Sequence, residues 1–250
     1  MYFHFGKAII ARRTGLNEES DEVKVLWDKV YAEFVEALDA HDNGISVYDP
    51  AAVKGAEKRF HDGGINLGSL VGDLNDHWED DSGKSVEQLQ QEEDERFVEA
   101  TKFMGTTFSR RLDYFWRKWL PARKEVAEAY AQRKKFDGRG RVMVFEKGVP
   151  WKDHLYTLED EHPGEEKVLY VLYPEGPNEG SKWRIQAVSM STDSFESRKP
   201  LPEAWRGVRD EDLDGVAGIK GCVFVHASGF IGGNKTREGA MEMAEKSIEI

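Results

Sequence analysis

Asp39 and Asp42 lie three residues apart at the end of an amphipathic stretch, so both carboxylates can point into one site. Carboxylates suit a hard divalent cation. The alternative is that the pair dresses a helix end and an Asx turn. His41 lies between them, and helical geometry turns it away. A second group of residues runs from Gly221 to Ala240. Val223 to Val225 reads as a short buried strand. Gly229, Gly232 and Gly233 let the backbone turn sharply and approach a ligand closely. Asn234 or Thr236 can cap the helix that follows. The free N–H groups of a helix start attract anions, and Lys235 and Arg237 stand there. This is either a phosphate or carboxylate site, or a strand-to-helix turn that needs glycine only for shape. Arg198, Arg206 and Arg237 could clamp a phosphate bidentately; for Arg198 and Arg206 the alternative is a structural ion pair with the many carboxylates of the chain. His61, His77, His154 and His162 show no metal-ligand spacing among themselves. Cys222 has no evident base partner, and no glycine-flanked serine elbow is present, so nucleophilic hydrolysis is disfavoured.

These residues need elements to position them. Lys7 to Arg13 reads as a helix end closed by Gly15. Asp21 to Leu38 has Val23, Leu26, Trp27, Val30, Phe34 and Leu38 at helical spacing. Residues 49–64 read as a loop, Leu67 to Leu74 as a short helix, and Glu79-Asp80-Asp81-Ser82-Gly83 as a solvated bend. A long helix spans Ser85 to Trp119, Pro121 punctuates it, and a second helix continues to about Lys134. Its aromatic-rich stripe of Phe97, Met104, Phe108, Leu112, Phe115 and Trp119 reads as packing, with nucleobase stacking as the alternative. Beyond Asp137-Gly138-Arg139-Gly140 the period changes. Val142–Phe145, Val168–Tyr173, Trp183–Val188 and Cys222–His226 read as strands, and Trp151–Leu158 and Thr236–Ile248 as helices. The fold class is therefore mixed α/β, a mostly helical part followed by an α/β part.

The chain has 250 residues and a net charge of −12, which argues against a general polyanion-binding surface but not against a local basic groove. Arg184, Arg198, Lys199, Arg206, Arg209, Lys235 and Arg237 all fall in its C-terminal part. A single cysteine excludes a disulfide framework and a thiolate zinc cluster. No run is long and apolar enough to span a bilayer as a helix.

Five segments together resemble one family. They are Gly221–Ala240, Glu36-Ala37-Leu38-Asp39-Ala40-His41-Asp42-Asn43-Gly44-Ile45, Trp119-Leu120-Pro121-Ala122-Arg123, Trp183-Arg184-Ile185-Gln186, and Ser194 to Pro202 running on to Trp205-Arg206-Gly207. Over essentially its whole length the chain resembles the melanocyte-proliferating-gene family of the DHH phosphoesterase superfamily. The resemblance implies a metal-dependent hydrolase, in full-length form a 3′→5′ exonuclease acting on single-stranded RNA or short oligonucleotides. It implies Asp39 and Asp42 as catalytic carboxylates and late ligands of a two-metal manganese or magnesium centre. It implies Arg198, Arg206, His226, Gly232, Gly233, Asn234 and Arg237 as substrate contacts. Gly232-Gly233-Asn234 stands where the superfamily has Gly-Gly-His, so Asn234 offers hydrogen bonding without acid–base chemistry.

On the same resemblance, residues 1–137 are the C-terminal part of a DHH-like catalytic domain. Residues 138–250 are an α/β substrate-binding domain. The family's Thr-His-Asp-Gly, His-Cys-Asp-Glu and Asp-His-His segments do not occur here. The expectation is a truncated form with an incomplete metal centre, inactive alone. The alternative is a non-catalytic binding or regulatory form. The apolar opening Met1, Tyr2, Phe3, Phe5, Ile9 and Ile10 leads us to expect self-association through an exposed patch. No membrane partner is expected, and the compartment implied is nucleus, mitochondrion or cytoplasm.

Overall fold

The computed structural model describes residues 1–55, 57, 65–75 and 81–250. Two compact units divide at Leu120 and Pro121. His61, His77 and parts of the expected loop and acidic bend lie outside the described residues.

The first unit is helical. α1 (Tyr2–Thr14) ends on Gly15, whose φ of 76° is the left-handed cap that glycine adopts without a Cβ penalty. α2 (Asp21–Val30) starts at Ser20, whose hydroxyl accepts from the Val23 N–H at 3.3 Å. It runs through a π-helical turn, Tyr31–Val35, into α3 (Glu36–Asp42). α4 (Leu67–Asn75) follows, then α5 (Val86–Tyr114), which opens on a capping box between Ser85 and Gln88. A second π turn, Phe115–Trp119, adds a residue to the ladder just ahead of Pro121, which has no N–H to give.

The apolar stripe of α2 meets the C-terminal half of α5. Ile10, Val23, Leu26, Val30, Leu112 and Phe115 form one buried core. Gly6 permits close approach of α1, since a Cβ there would lie 2.8 Å from Trp27 Nε1. The N-terminal half of the α5 stripe stays open, with Phe97 69% exposed. Ile10 is buried, but Met1, Phe3, Phe5 and Ile9 are exposed.

The second unit begins with α6 (Leu120–Gln132), which shares Leu120 with the first, and builds a five-stranded sheet. Its strands are β1 (Val142–Val144), β2 (Tyr170–Pro174), β3 (Trp183–Ala187), β4 (Cys222–Val225) and β5 (Ile231–Asn234), ordered β1-β2-β3-β5-β4. β1 and β2 pair in parallel across α7 (Lys152–Glu161), and the other pairs are antiparallel. α8 (Asp210–Ala217) and α9 (Arg237–Glu249) complete the unit.

Strand alternation sends side chains to two faces. One face buries Val142, Tyr170, Leu172, Ile185 and Val225 with Leu213 of α8 and Met243 of α9. The other buries Met143 and Val171 with Val126 and Tyr130 of α6 and Leu155 of α7. That second core places α6 with the sheet. The expected break at Asp137–Gly138 therefore falls inside the second unit.

The glycine-rich segment differs from its expected form. The strand and the helix capped by Thr236 stand as expected, but the glycine-rich stretch between them is a turn and a second strand, so that β4 and β5 form a β-hairpin. His226 to Phe230 is the turn, with Gly229 at φ 73°, and Gly232, Gly233 and Asn234 lie in β5. The cause is crowding. A Cβ at Gly232 would lie 3.0 Å from Leu201 Cδ1 and 3.0 Å from the Phe224 carbonyl oxygen. Only glycine lets this strand run between its neighbours. Among the described residues no helix is long and apolar enough to cross a membrane.

Candidate functional site

In the first unit, Asp39 and Asp42 stand at the C-terminal end of α3. The helix closes through Asn43, whose N–H and side-chain Nδ2 both donate to the Asp39 carbonyl, at 3.1 and 2.7 Å. Unpaired carbonyls give a helix C-terminus partial negative charge, which favours a cation there. Asp39 and Asp42 line one cavity of about 790 Å³, together with Tyr31, Leu38 and Gly68. His41 lines it too, so the expectation that it turns away is corrected. Its ring lies beside Gly68, within 3.8 Å of where a Cβ would stand. The reason is that α3 ends at Asp42, and the opposing α4 brings a second wall to the cavity. Among the described residues no group of three or more His, Cys, Asp or Glu is close enough to hold a metal ion. Two carboxylates supply only part of the donor set a two-metal centre needs.

In the second unit the expected substrate contacts are scattered. Arg198 donates from both Nη atoms to the buried Glu159 carboxylate, at 2.8 and 2.7 Å, and to the Val168 carbonyl. Of its two alternatives, the ion pair is the one present. Arg206 Nε donates to the Leu201 carbonyl at 2.9 Å and lies against Gly229. Arg237 pairs with Glu146 at 3.0 Å and lies over Trp183 and Phe136. Asn234 is fully buried: its Nδ2 donates to the Lys220 carbonyl, and its Oδ1 accepts from the Thr236 N–H. It braces the turn into α9, which Thr236 caps by accepting from the Gly239 N–H. Gly232 and Gly233 are strand positions.

Only His226 of this set lines a basic pocket of about 460 Å³, with Lys182, Arg184, Arg209 and Phe224 among its other walls. The sheet builds that pocket from one cross-strand row. Arg184 on β3 faces Tyr173 on β2 and Gly233 on β5, and Gly233 faces Phe224 on β4. A bulge between Cys222 and Phe224 turns Phe224 to this face while Cys222 and Val225 stay in the core. Arg209 bridges to Phe224 along the outer edge of β4.

Gly233 is the key to the row. A Cβ there would lie 2.8 Å from Arg184 Nη1, so glycine leaves a trough in which the guanidinium crosses β5. Arg184 then sits 4.7 Å over the Phe224 ring, and Arg209 5.7 Å from the same ring. Arg184 also pairs with Glu175. Burial pushes its guanidinium below the usual arginine value, with Tyr173 opposing. Its Nη1 is buried without a hydrogen-bond partner. Sequence reasoning missed Arg184 and Arg209 as site residues. Alternation along Trp183-Arg184-Ile185-Gln186 puts Arg184 opposite the core face, but nothing in the string reveals that Gly233 stands beside it.

The comparisons agree with one another. The sequence profile described as MYG1_exonuc, an uncharacterised protein family (UPF0160), matches residues 1–248. A human protein named MYG1 exonuclease is 42% identical over 99% of this chain and 62% of its own length. The mouse MYG1 exonuclease is 41% identical over 99% of this chain and 61% of its own. A Caenorhabditis elegans MYG1 protein is 41% identical over all of this chain and 69% of its own. The chain thus spans less than two thirds of the length of its mammalian relatives. No solved structure matches it. The chain belongs to the MYG1 exonuclease family.

Proposed function

We propose that this chain is part of a metal-dependent phosphodiesterase of the DHH type, cleaving single-stranded RNA or short oligonucleotides from the 3′ end. The observation that carries the reading is the identity of 41–42% with mammalian proteins named exonucleases, across nearly the whole chain. The placement of Asp39 and Asp42 on one cavity at a helix C-terminus supports a cation there. In this reading those two carboxylates contribute ligands for manganese or magnesium. A divalent cation held there would supply activation of water and charge stabilisation at phosphorus. The second unit holds substrate phosphate, and the chain acts in the nucleus, mitochondrion or cytoplasm.

The test is manganese-dependent release of nucleotides from 5′-labelled single-stranded RNA. It uses the 250-residue chain and a chain extended to the length of its relatives. The extended chain is expected to shorten RNA from its 3′ end. Asp39→Asn with Asp42→Asn is expected to reduce turnover on the order of 100-fold, as loss of metal support does. The 250-residue chain alone is expected to be inactive. Turnover by the short chain, abolished by Asp42→Ala, would show a complete centre without further residues. Indifference of the extended chain to the double substitution would remove these aspartates from the site.

A further inference from the structure

We propose that the pocket bounded by Lys182, Arg184, Arg209 and His226 is a phosphate-binding site of the second unit. It takes a phosphate of single-stranded nucleic acid or of a nucleotide. The proposal deepens the reading above and borrows from it only the choice of ligand.

The geometry makes the argument. The chain carries a net charge of −12, yet four basic or titratable side chains converge here on one face of the sheet. Arg209 and Lys182 are exposed, and neither has an ion-pair partner among the described residues. Glu175 offsets part of the Arg184 charge, and Arg184, whose Nη1 is buried beside Gly233 without a hydrogen-bond partner, lines the pocket with the rest of its side chain. Two guanidiniums about one aromatic ring present planar donor forks, which match phosphate oxygens better than a point charge does. His226 Nδ1 is engaged by the Ser228 N–H and hydroxyl, leaving Nε2 toward ligand or solvent.

A volume of about 460 Å³ accommodates a nucleotide-sized group. Arg209 also borders an adjoining cleft with Asp210, Glu211 and Asp214, so anion affinity there is confined to the Arg184 side. The glycine at 233 acquires a reason under this reading. It is required for the arginine that crosses it, not for a turn.

Fluorescence anisotropy of a labelled ten-nucleotide single-stranded RNA tests the site across salt concentrations. Inorganic phosphate and adenosine monophosphate serve as competitors. Arg209→Gln with Lys182→Gln removes two exposed cations and should leave the fold intact by circular dichroism. It is expected to weaken RNA binding tenfold or more. It should also lower the slope of log affinity against log salt by about 0.7 for each phosphate that the variant no longer neutralises. Lys124→Gln, an exposed lysine on α6, is expected to change neither. Gly233→Ala should reproduce the loss by displacing Arg184.

Competition by the monophosphate supports a monoester site. Binding of RNA without such competition supports contact with the backbone diester. Unchanged affinity of the double variant for RNA and phosphate alike would overturn the pocket. An extended chain that degrades RNA with no effect of these variants sinks the pocket alone. RNA binding that depends on the pocket, in an extended chain without exonuclease activity, sinks the nuclease reading alone.

Discussion

At the scale of single residues, the charged groups of the second unit separate into those that hold the fold and those that face outward. Glu159 is the clearest of the first kind. Its buried carboxylate accepts the Val168 N–H at 2.9 Å and both Arg198 Nη atoms, with Lys167 at 3.5 Å. It fastens α7 to the residues leading into β2 and to the stretch after β3. Glu159→Ala strips a buried guanidinium of its partner, and the expected loss is about 3–5 kcal/mol in denaturant unfolding. Arg198→Ala should cost a similar amount. A cost below about 1 kcal/mol for both would free Arg198 for another role.

Asp214 supplies a pH dependence. The Gly221 N–H holds its carboxyl below the usual carboxylate range, burial opposes this, and the Cys222 N–H adds to the lowering. A folded value below the unfolded one means the stabilisation is complete above the unfolded value, near 4. It fades as pH falls through the folded value. Asp214→Asn should therefore fall short of the parent at pH 7 and converge with it toward pH 2, measured by thermal unfolding. A gap that widens on acidification would refute this account.

At the scale of elements, β5 is the instructive case. Val142–Val144, Tyr170–Pro174, Trp183–Ala187 and Cys222–Val225 are legible because apolar and β-branched residues mark them. β5 is Ile231-Gly232-Gly233-Asn234, with almost no strand propensity. It exists because its neighbours leave room for backbone alone, and that crowding is tertiary. The helices were legible for the opposite reason: α2 and α5 announce themselves through stripe and cap. The pocket row was half legible. Its arginines stand in the string, but their meeting depends on register across three strands and a bulge.

Asn234 leaves no space beside it, since a Cβ at Gly239 would fall 2.2 Å from its Oδ1. Asn234→Leu would bury an apolar group where the Lys220 carbonyl and Thr236 N–H expect partners. Each unsatisfied group costs about 1–3 kcal/mol, so the midpoint of urea unfolding should drop markedly. Asn234→Asp, which keeps an acceptor for Thr236, should lose less. Equal stability of all three would mean that the amide does not brace the turn into α9.

At the scale of the whole molecule, charge and apolar exposure pull against each other. The first unit has an apolar groove of about 1060 Å³, walled by Phe5, Ile9, Phe34, Phe97, Met104 and Phe108. Phe3 and Met1 stand exposed nearby. Contiguous apolar surface of this kind is uncommon on soluble monomers and favours association. A net charge of −12 keeps like copies apart, and that repulsion acts through solvent, where salt screens it over about 8 Å at physiological ionic strength. Burial of apolar surface is not weakened by salt in this way. Association should therefore grow as sodium chloride rises, the reverse of an interface held by ion pairs. Sedimentation velocity at several protein concentrations reads this directly. Phe5→Glu with Phe97→Glu places charge on both walls of the groove at exposed positions, so the helices should survive by circular dichroism. The double variant should remain monomeric where the parent self-associates. If the parent stays monomeric at high concentration in both low and high salt, the groove does not join copies of this chain. If the variant associates as the parent does, the interface lies elsewhere.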